Sequence, residues 1–380
     1  MLTIRLGLQQ RVFPAYRAAF FDALAASSTG GLSVFAGAPM TDEALGQAGA
    51  LQVAQHVQAH NMYAGWGPLL FVWQRGLLNW LERWQPDVLI ADTNPRNLST
   101  NAGLRWMHAH HRPVIGWGLG APRARYPFAG FFNRSRDRYL RQFDALISYS
   151  TTGIDQFAAA GFPRERIFLA PNAVTARPSL PPPTRPPAFA GGRPTVLFVG
   201  RLQARKRIDS LLRACAALPP ELQPRLVIVG DGPARADFEL AASRVYPEAE
   251  FKGDLRGPAL AALFTAADLF VLPGTGGLAV QQAMSYALPV VVAEADGTQA
   301  NLVRPSNGWL LPSNDEPALQ TCLHAALSDP ARLHEMGLES YRIVAQEVNL
   351  EKMVEAFSTV VKHVAPKTGA GGFRRSTLGR

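Results

Sequence analysis

The stretch Val196-Leu-Phe-Val-Gly-Arg-Leu202, followed by Lys206 and Asp209, decides the fold that we predict for this chain. An unbroken apolar run is typical of a strand buried in a parallel sheet, and Gly200 marks the turn after it. Arg201 and Lys206 therefore follow the carboxyl end of a strand, the edge at which open α/β sheets bind ligands. Two fixed positive charges there favour a diphosphate ligand, although a solvated basic turn would have the same composition.

A second block, Leu269-Phe-Val-Leu-Pro-Gly274-Thr-Gly276-Gly277-Leu278, has the same order of strand and turn and leads into a helical pattern. Glycines let the backbone approach a ligand closely, and the free N–H groups at a helix start attract an anion. Gln282 falls one turn into that helix, where its amide is expected to bind a ribose hydroxyl, unless it is an ordinary surface amide. We expect five residues of this turn to bind the donor: Gly274, Thr275, Gly276, Gly277 and Leu278.

Strand patterns alternate with helical patterns on both sides of these blocks, which is the rhythm of a parallel sheet. The first half predicts strands at 2–8, 32–35, 87–90, 114–116, 145–148 and 167–170. The second half predicts strands at 195–199, 226–229, 249–252, 269–272, 290–292 and 309–311. We therefore predict an α/β fold with two Rossmann-like domains that face each other across a cleft.

The domain boundaries follow from changes in composition. We place an N-terminal domain at 1–174, a proline-rich linker at 175–194 and a C-terminal domain at 195–349. Residues 350–365 form an amphipathic helix, which we expect to pack back on the N-terminal domain. The glycine-rich basic tail, 366–380, is expected to be disordered.

Composition indicates a globular protein without a bilayer-spanning segment. Of 380 residues, 47% are hydrophobic and 18% charged, which suits two cores of ordinary size. The net charge of +9 suits an anionic partner such as a nucleotide, a lipid headgroup or a nucleic acid, without choosing among them. Cys215 and Cys322 lie in apolar helical stretches and are interpreted as core residues. We expect a cytoplasmic protein.

In this order, the blocks resemble the GT-B glycosyltransferases of family 4, also described as the glycosyltransferase group 1 family. Gly200-Arg201-Leu202 with Lys206 is similar to the donor-phosphate motif of that family, and Val229-Gly230-Asp231-Gly232-Pro233 is similar to the turn that follows it. Ala283-Met284 and Pro289-Val290-Val291 resemble the family's next helix and strand. The resemblance is clear over residues 195–311 and weaker over the first half.

The resemblance implies a retaining transfer of a sugar from a nucleotide-diphosphate sugar to a hydroxyl of a glycan or a lipid-linked glycan, without a metal or another cofactor. Arg201 and Lys206 are the implied catalytic residues, because they would stabilise the charge that grows on the leaving phosphate. Gly200 would approach the phosphates, and the loop at Asp254 and Leu255 would contact the base.

Three positions depart from the family pattern. The family usually has one Glu at the start of the glycine turn and another on the following helix, where this chain has Gly274 and Gln282. Leu119 stands where related enzymes often carry a His that contacts the transferred sugar. These departures leave an alternative open, a catalytically weak or inactive partner subunit that binds a nucleotide sugar.

The first half supplies the acceptor side of the predicted cleft. Its first turn and helix start resemble a segment that some family members have in place of a glycine-rich acceptor loop. Polar residues after the strand that ends at Ile90 would also face the cleft. Seven residues are the acceptor-side candidates: Arg11, Tyr16, Arg17, Asn94, Arg96, Asn97 and Leu119.

Other classes of function fit the sequence less well. An NAD-linked oxidoreductase is disfavoured, because Gly116-Trp-Gly-Leu-Gly120 has the wrong glycine spacing and is followed by Pro122 instead of a helix start. A metal site is disfavoured because His108, His110 and His111 read as surface residues near a helix end. No other segment has metal-ligand spacing.

A nucleic-acid binder would use the arginine-rich stretch 123–141 with its interleaved aromatic residues. The stretch is better interpreted as a basic amphipathic surface, because Arg134, Arg138 and Arg141 share one helix face. We expect that face to contact an anionic membrane that carries the acceptor, which would make the protein peripheral at the inner face of the membrane. We expect no nucleic-acid partner.

Overall fold

Two β-sheets organise the residues that the computed structural model describes, which are 2–40, 50–124, 129–178, 181–185, 189–190 and 192–365. The strands of the first sheet are β1 (Leu6–Val12), β2 (Leu32–Gly37), β3 (Gln55–Ala64), β4 (Phe71–Arg75), β5 (Val88–Asp92), β6 (Val114–Gly118), β7 (Ala145–Ser148) and β8 (Ile167–Leu169). Those of the second sheet are β9 (Thr195–Val199), β10 (Arg225–Val229), β11 (Glu250–Phe251), β12 (Leu269–Leu272), β13 (Val290–Ala293) and β14 (Gly308–Leu311).

Helices cover the faces of both sheets. The first domain contains α1 (Ala18–Ala26), α2 (Leu77–Trp84), α3 (Leu98–Ala109), α4 (Ala129–Leu140) and α5 (Thr151–Ala159). The second contains α6 (Ile208–Ala216), α7 (Arg235–Val245), α8 (Gly257–Ala266), α9 (Leu278–Ser285), α10 (Glu316–Leu327) and α11 (Pro330–Gln346), and α12 (Leu350–Val364) follows it. Cys215 on α6 and Cys322 on α10 are buried, which confirms the prediction that both are core residues.

The strand orders place one switch point in each sheet. The first order is β4-β3-β2-β1-β5-β6-β7-β8 and the second is β11-β10-β9-β12-β13-β14. The pairings are parallel, apart from the antiparallel pair of β3 with β4. The order therefore reverses between β1 and β5, and again between β9 and β12. Ligands of open parallel sheets bind at such points, outside the carboxyl ends of the strands.

The carboxyl edges of the two sheets face each other. After β7, the backbone N–H of Thr151 donates to Oδ1 of Asn301, which follows β13, at 3.2 Å. The loop at Gly297 also approaches the side chain of Thr152. The predicted α/β fold of two Rossmann-like domains across a cleft is confirmed.

The last helix returns to the first domain. Phe357 of α12 lies in the first domain's core, with its ring centroid 4.9 Å from those of Phe20 and Trp117. Gln281 joins the two segments that connect the domains, because its side chain accepts from the N–H of Val174 at 2.8 Å and donates to the carbonyl of Val348 at 2.7 Å. The tail, 366–380, lies outside the described residues, so its predicted disorder stays a prediction.

Two features of the first sheet differ from the sequence prediction. The first strand covers residues 6–12 instead of 2–8, because the buried side chain of Gln9 finds an amide partner in Gln74 and so lets the strand continue through polar residues. The pair of β3 and β4 was not predicted. β3 is largely exposed, so it lacks the apolar alternation that marks a half-buried strand.

Candidate functional site

Lys206 of the first motif and its neighbour Arg205 meet the glycine turn at the switch point between β9 and β12. Lys206 donates from Nζ to the backbone carbonyl of Thr275. Arg205 donates from Nη1 to the Thr275 hydroxyl at 2.6 Å, and its own carbonyl accepts from the N–H of Thr275 at 3.1 Å. The turn after β9 and the turn after β12, about 70 residues apart in the sequence, thus form one unit. We call this unit, residues 200–207 with 273–278, the donor edge.

Two glycines of the donor edge are required by close approach. A Cβ at Gly274 would lie 2.2 Å from the carbonyl oxygen of Arg205 and 2.6 Å from the carbonyl carbon of Lys206. A Cβ at Gly276, where φ is +148°, would lie 2.7 Å from Nζ of Lys206. The Glu that the family pattern has at position 274 would not fit this backbone, since the basic loop occupies the space beside it. The departure at 274 is therefore part of how the donor edge packs.

Burial destabilises the charged form of Lys206 when no anion is bound beside it. The side chain is only 9% exposed, and burial together with the nearby charge of Arg205 lowers its pKa from 10.5 to about 8. Within the described residues no carboxylate forms an ion pair with Lys206. An amine of this kind gains free energy when an anion binds, because the anion restores the stabilisation that burial removed.

An open cavity of about 650 Å³ adjoins the donor edge at the carboxyl ends of β9, β10 and β11. Gly200 and Arg201 line one side, and Asp254 and Leu255 line another. Its size suits a nucleoside, for which ligand cavities typically range from about 300 to 1,000 Å³. The structure thus brings Gly200 and Arg201, two of the predicted phosphate residues, and the predicted base loop to one cavity.

The start of α9 supports the donor edge. Gly277 precedes the helix and provides no side-chain cap, so the first N–H groups of α9 remain available. Gln299, which is 1% exposed, donates to the carbonyl of Gly276 at 2.7 Å and holds the turn in place. Gln282 is half-buried on α9, whereas its neighbour Gln281 is fully buried at the connection between the domains.

The facing region lies at the switch point between β1 and β5, and we call it the acceptor edge. Arg11 near the end of β1 and Arg96 after β5 both act on the carboxylate of Asp92, the last residue of β5. Burial raises the pKa of Asp92 from 3.8 to about 6, although the N–H of Asn94 and the two arginines oppose that shift. At neutral pH the group is therefore mostly ionised, but it titrates within a physiological range.

Arg17 lies beside this edge in a cage of aromatic rings. Its guanidinium carbon is 4.4 Å from the ring centroid of Trp117 and 5.3 Å from those of Tyr16 and Tyr149. It donates from Nη2 to the hydroxyl of Tyr149 at 3.0 Å. Burial raises the pKa of Tyr149 to about 12, so the phenol is neutral at physiological pH.

A network of hydrogen-bonded side-chain amides holds the residues of the acceptor edge in place. Oε1 of Gln74 accepts from Gln9 at 3.0 Å and from Asn97 at 3.1 Å, and its Nε2 donates to Oδ1 of Asn61 at 3.0 Å. Asn97 is only 1% exposed, so its side chain belongs to the interior and not to the cleft surface that we predicted for it. Its position at the start of α3 explains the difference, because burial of that helix start takes the amide inward.

The remaining acceptor-side candidates differ in exposure. Tyr16 is 40% exposed and Leu119 is 48% exposed, so both offer surface. Asn94 is half-buried, and its Oδ1 accepts from the N–H of Arg96 at 3.1 Å, which shapes the loop. Leu119 follows β6, at the same carboxyl edge as Asp92.

Several residues of the site escaped the sequence prediction. These residues, Asp92, Gln74 and Gln299, belong to no sequence motif. Their roles are visible only from their contacts with other segments of the chain. Asp92 had a weak signal, since a carboxylate at the end of an apolar strand pattern is a candidate for the binding edge of a sheet. Gln74 had none, because its strand was not recognised.

The histidines occupy ordinary surface positions. His108 contacts Asp144 at 3.3 Å, and His110 stacks on Trp106 with ring centroids 4.0 Å apart. Among residues whose placement is described, no three His, Cys, Asp or Glu side chains come together as a metal site would require. In the same part of the chain, no helix combines the length and apolar character needed to cross a membrane.

Family models match both halves of the chain. The model described as "Glycosyl transferases group 1" matches residues 193–329, and the model described as "Glycosyl transferase 4-like domain" matches residues 13–173. Together the two matches cover most of the chain, and the segment 174–192, which includes most of the linker, lies between them.

Curated relatives align over parts of the chain. A GDP-mannose-dependent alpha-mannosyltransferase of Mycolicibacterium smegmatis is 44% identical over 123 residues, which are 32% of this chain and 30% of that protein. A D-inositol 3-phosphate glycosyltransferase of Rhodococcus opacus is 26% identical over 290 residues, which are 71% of this chain and 61% of that protein. The chain thus spans less than two thirds of the length of either relative.

Solved structures share the fold over almost the whole chain. HepE of Anabaena in complex with UDP has a TM-score of 0.70 at 17% identity and covers 96% of this chain and 100% of its own. The apo lipopolysaccharide outer core galactosyltransferase WaaB has a TM-score of 0.67 at 15% identity and covers 94% and 99%. At such identities the likeness concerns the fold alone.

Proposed function

The chain belongs to the group 1 glycosyltransferases of the GT-B fold, and on that premise we propose that it transfers a sugar from a nucleotide-diphosphate sugar to a hydroxyl acceptor. The observation that carries the proposal is the donor edge. Buried Lys206 and the glycine turn meet at a switch point, beside a cavity that Arg201 lines. Together these features suit a diphosphate attached to a nucleoside.

The chemistry that we propose is electrostatic. As the bond between sugar and phosphate breaks, negative charge grows on the leaving diphosphate. Arg201, Lys206 and the first N–H groups of α9 would then stabilise the transition state more than the ground state. Removal of one group of this kind raises the barrier by about 2.7 to 4 kcal/mol. Because these cations neutralise the diphosphate, we propose that the reaction needs no metal.

We further propose that the product retains the donor's anomeric configuration. The leaving diphosphate would remain beside the anomeric carbon and help to activate the incoming hydroxyl on the same face. Gln282 would bind the ribose with a neutral amide where the family pattern has a carboxylate. The backbone N–H groups of the turn at 275–278 would take over sugar contacts, since Gly274 has no side chain to offer.

On the acceptor edge, we propose that Asp92 receives a hydrogen bond from the attacking hydroxyl. Its carboxylate is the titratable acid at the switch point of the first sheet, and its pKa of about 6 leaves it ionised at neutral pH. The acceptor itself is proposed to be a glycan or a lipid-linked glycan. One relative's name specifies a phosphatidylinositol monomannoside acceptor and another a lipopolysaccharide core, which agrees with polysaccharide or glycolipid synthesis.

We also propose contact with an anionic membrane through α4. Phe131 and Phe132 are exposed there beside Arg134 and Arg138, a combination typical of helices that lie on lipid headgroups. Flotation with vesicles that contain anionic lipid should recover the protein, and neutral vesicles should not. Stronger, salt-sensitive binding to an oligonucleotide than to anionic vesicles would contradict this part of the proposal.

The decisive experiment is a ligand screen followed by a product analysis. Nucleoside diphosphates, with UDP and GDP first, should raise the melting temperature of the full chain, because ligands that bind the native state stabilise it. The matching sugar nucleotides are then incubated with glycan acceptors in the presence of a chelator. NMR of the product anomeric proton should show retention.

Each outcome of that experiment has a separate meaning. Tight binding of a diphosphate without turnover of any sugar nucleotide would favour a partner subunit over an enzyme. An inverted product would contradict the retaining mechanism, and loss of activity in the chelator would contradict metal independence. Absence of nucleotide binding would contradict the proposal as a whole.

A further inference from the structure

Arg17 is a buried cation outside the donor edge. Its side chain is only 4% exposed, in the turn that precedes α1. Of the rings around it, Tyr16 follows β1, Trp117 lies near the carboxyl end of β6, and Tyr149 follows β7. The guanidinium stacks on Trp117, and it makes one hydrogen bond, from Nη2 to the hydroxyl of Tyr149. It therefore lies at the cleft-facing edge of the first sheet.

Two donors in this cage have no acceptor. Nη1 of Arg17 and the indole N–H of Trp117 are buried and unpaired in the described part of the chain. No carboxylate among the described residues lies within ion-pair distance of Arg17. The charge of Asp92 acts on the hydroxyl of Tyr149, to which Arg17 donates. A buried charge with unpaired donors is costly, and such a group is usually paired or binds a ligand.

The aromatic cage alone does not account for this arrangement. Cation–π contacts attract a guanidinium to the faces of the rings, but they leave the in-plane N–H groups without acceptors. A residue needed only for packing between Trp117 and Tyr149 would not have to be charged, since an apolar side chain of similar length would fill the same space. The cation and the free N–H groups together match the needs of a carboxylate or a phosphate.

We propose that Arg17, with the indole N–H of Trp117 and the hydroxyl of Tyr149, binds an anionic group of the acceptor. The inference rests on the proposed function and names the acceptor's chemical class, a saccharide that carries a phosphate or a carboxylate. The donor diphosphate has its own cations on the second sheet, whereas Arg17 belongs to the first sheet, beside Asp92. An acceptor held by Arg17 through its anion would present a hydroxyl to Asp92.

The test uses the full chain saturated with the nucleoside diphosphate that binds best in the screen, so that the donor cations are occupied. Inorganic phosphate, glucuronate and glucose are then titrated by calorimetry. We expect phosphate or glucuronate to bind at least about tenfold more tightly than glucose. Binding of phosphate alone would assign a phosphorylated acceptor, and binding of glucuronate alone would assign a uronate.

Variants locate the binding. Arg17→Met should weaken anion binding by about tenfold or more, Arg17→Lys should restore part of it, and Trp117→Phe should weaken it while the ring stack is kept. Arg164→Met, which removes an exposed arginine of the same domain, is the matched control and should change nothing. Failure of either anion to bind, or wild-type anion affinity in Arg17→Met, would overturn the inference.

Two further readouts separate this inference from other roles of Arg17. Removal of an unpaired buried charge should leave the melting temperature of ligand-free Arg17→Met unchanged or raised. A large decrease in melting temperature would show that Arg17 stabilises the fold, and it would overturn the inference. A loss of nucleoside diphosphate affinity in Arg17→Met would assign Arg17 to the donor and also overturn it. If the wild type binds no nucleoside diphosphate at all, the proposed function fails instead, whatever Arg17 does.

Discussion

The donor edge and the acceptor edge both lie at switch points of parallel sheets, yet they are built from different material. At the donor edge, backbone groups and glycines shape the site, and Thr275 holds Lys206 through its carbonyl and Arg205 through its hydroxyl. At the acceptor edge, side chains from several strands and their loops shape the site through amides, aromatic rings and the carboxylate of Asp92.

This difference in composition indicates which ligands each edge can recognise. Backbone N–H groups and fixed cations suit a diphosphate, which every donor of this class carries. Side-chain surfaces change with single substitutions, so they suit acceptors that differ between enzymes. The donor edge should therefore respond to changes in charge and backbone space, and the acceptor edge to loss of buried hydrogen bonds.

The largest effect is expected when a cation of the donor edge is removed. Arg201→Ala or Lys206→Met should slow sugar transfer by about 100- to 1,000-fold, because the charge on the leaving phosphate loses a stabilising partner. Turnover of the sugar nucleotide measures the effect, and melting curves check that the variants fold. The surface variant Arg164→Ala serves as control. A loss of less than tenfold for both variants would contradict the role that we assign to Arg201 and Lys206.

Gly274→Ala should have the next largest effect. Its Cβ would collide with the backbone of residues 205–206, so the basic loop must move, at a cost of about 1 to 3 kcal/mol. Nucleoside diphosphate affinity and the free energy of unfolding should both fall. Gly277→Ala is the matched control, since its Cβ would have 3.5 Å to the nearest atom, on Thr298. Equal effects of the two variants would show that backbone space does not shape the donor edge.

Gln74→Met tests the acceptor edge in the same way. It leaves the buried amides of Gln9 and Asn97 and the half-buried amide of Asn61 without their shared partner, which should lower the free energy of unfolding by about 1 to 3 kcal/mol. Gln282→Met, which changes a half-buried amide on α9 beside the donor edge, should change stability by less than about 0.5 kcal/mol. Denaturant unfolding measures both. The reverse order of effects would contradict the proposed division of roles.

The pH dependence gives the smallest effect and distinguishes the two edges. A bound diphosphate favours the charged Lys206, so sugar-nucleotide affinity should be constant below pH 8 and fall above it, by at most about tenfold per pH unit. Lys206→Met should abolish this decline. Turnover should instead fall below about pH 6, where Asp92 becomes protonated, and Asp92→Asn should remove that limb. Coincident limbs in binding and turnover would contradict the assignment.

The two domains were predictable to different degrees. Strands at 145–148, 195–199 and 269–272 were predicted with the bounds that the structure has, because buried parallel strands are unbroken apolar runs. The edge pair of β3 and β4 was missed, because an exposed strand is specified by its neighbours and not by its own pattern. Gln74 on β4 and its amide network were missed with it.

The sequence by itself predicted the alternation of strands and helices, the linker at 175–194, and each of the two motifs whose turns form the donor edge. Each depends on residues that are close in the chain, where apolar runs, glycines and cations act through local backbone geometry. Only the tertiary structure decided that Gly274 has no room for a larger residue and that Gln281, not Gln282, bonds to both segments that connect the domains. It also decided that Arg17 is buried with no carboxylate of the described residues within ion-pair distance. Those properties arise from contacts between residues far apart in the chain, and burial sets their energy, so no local pattern records them.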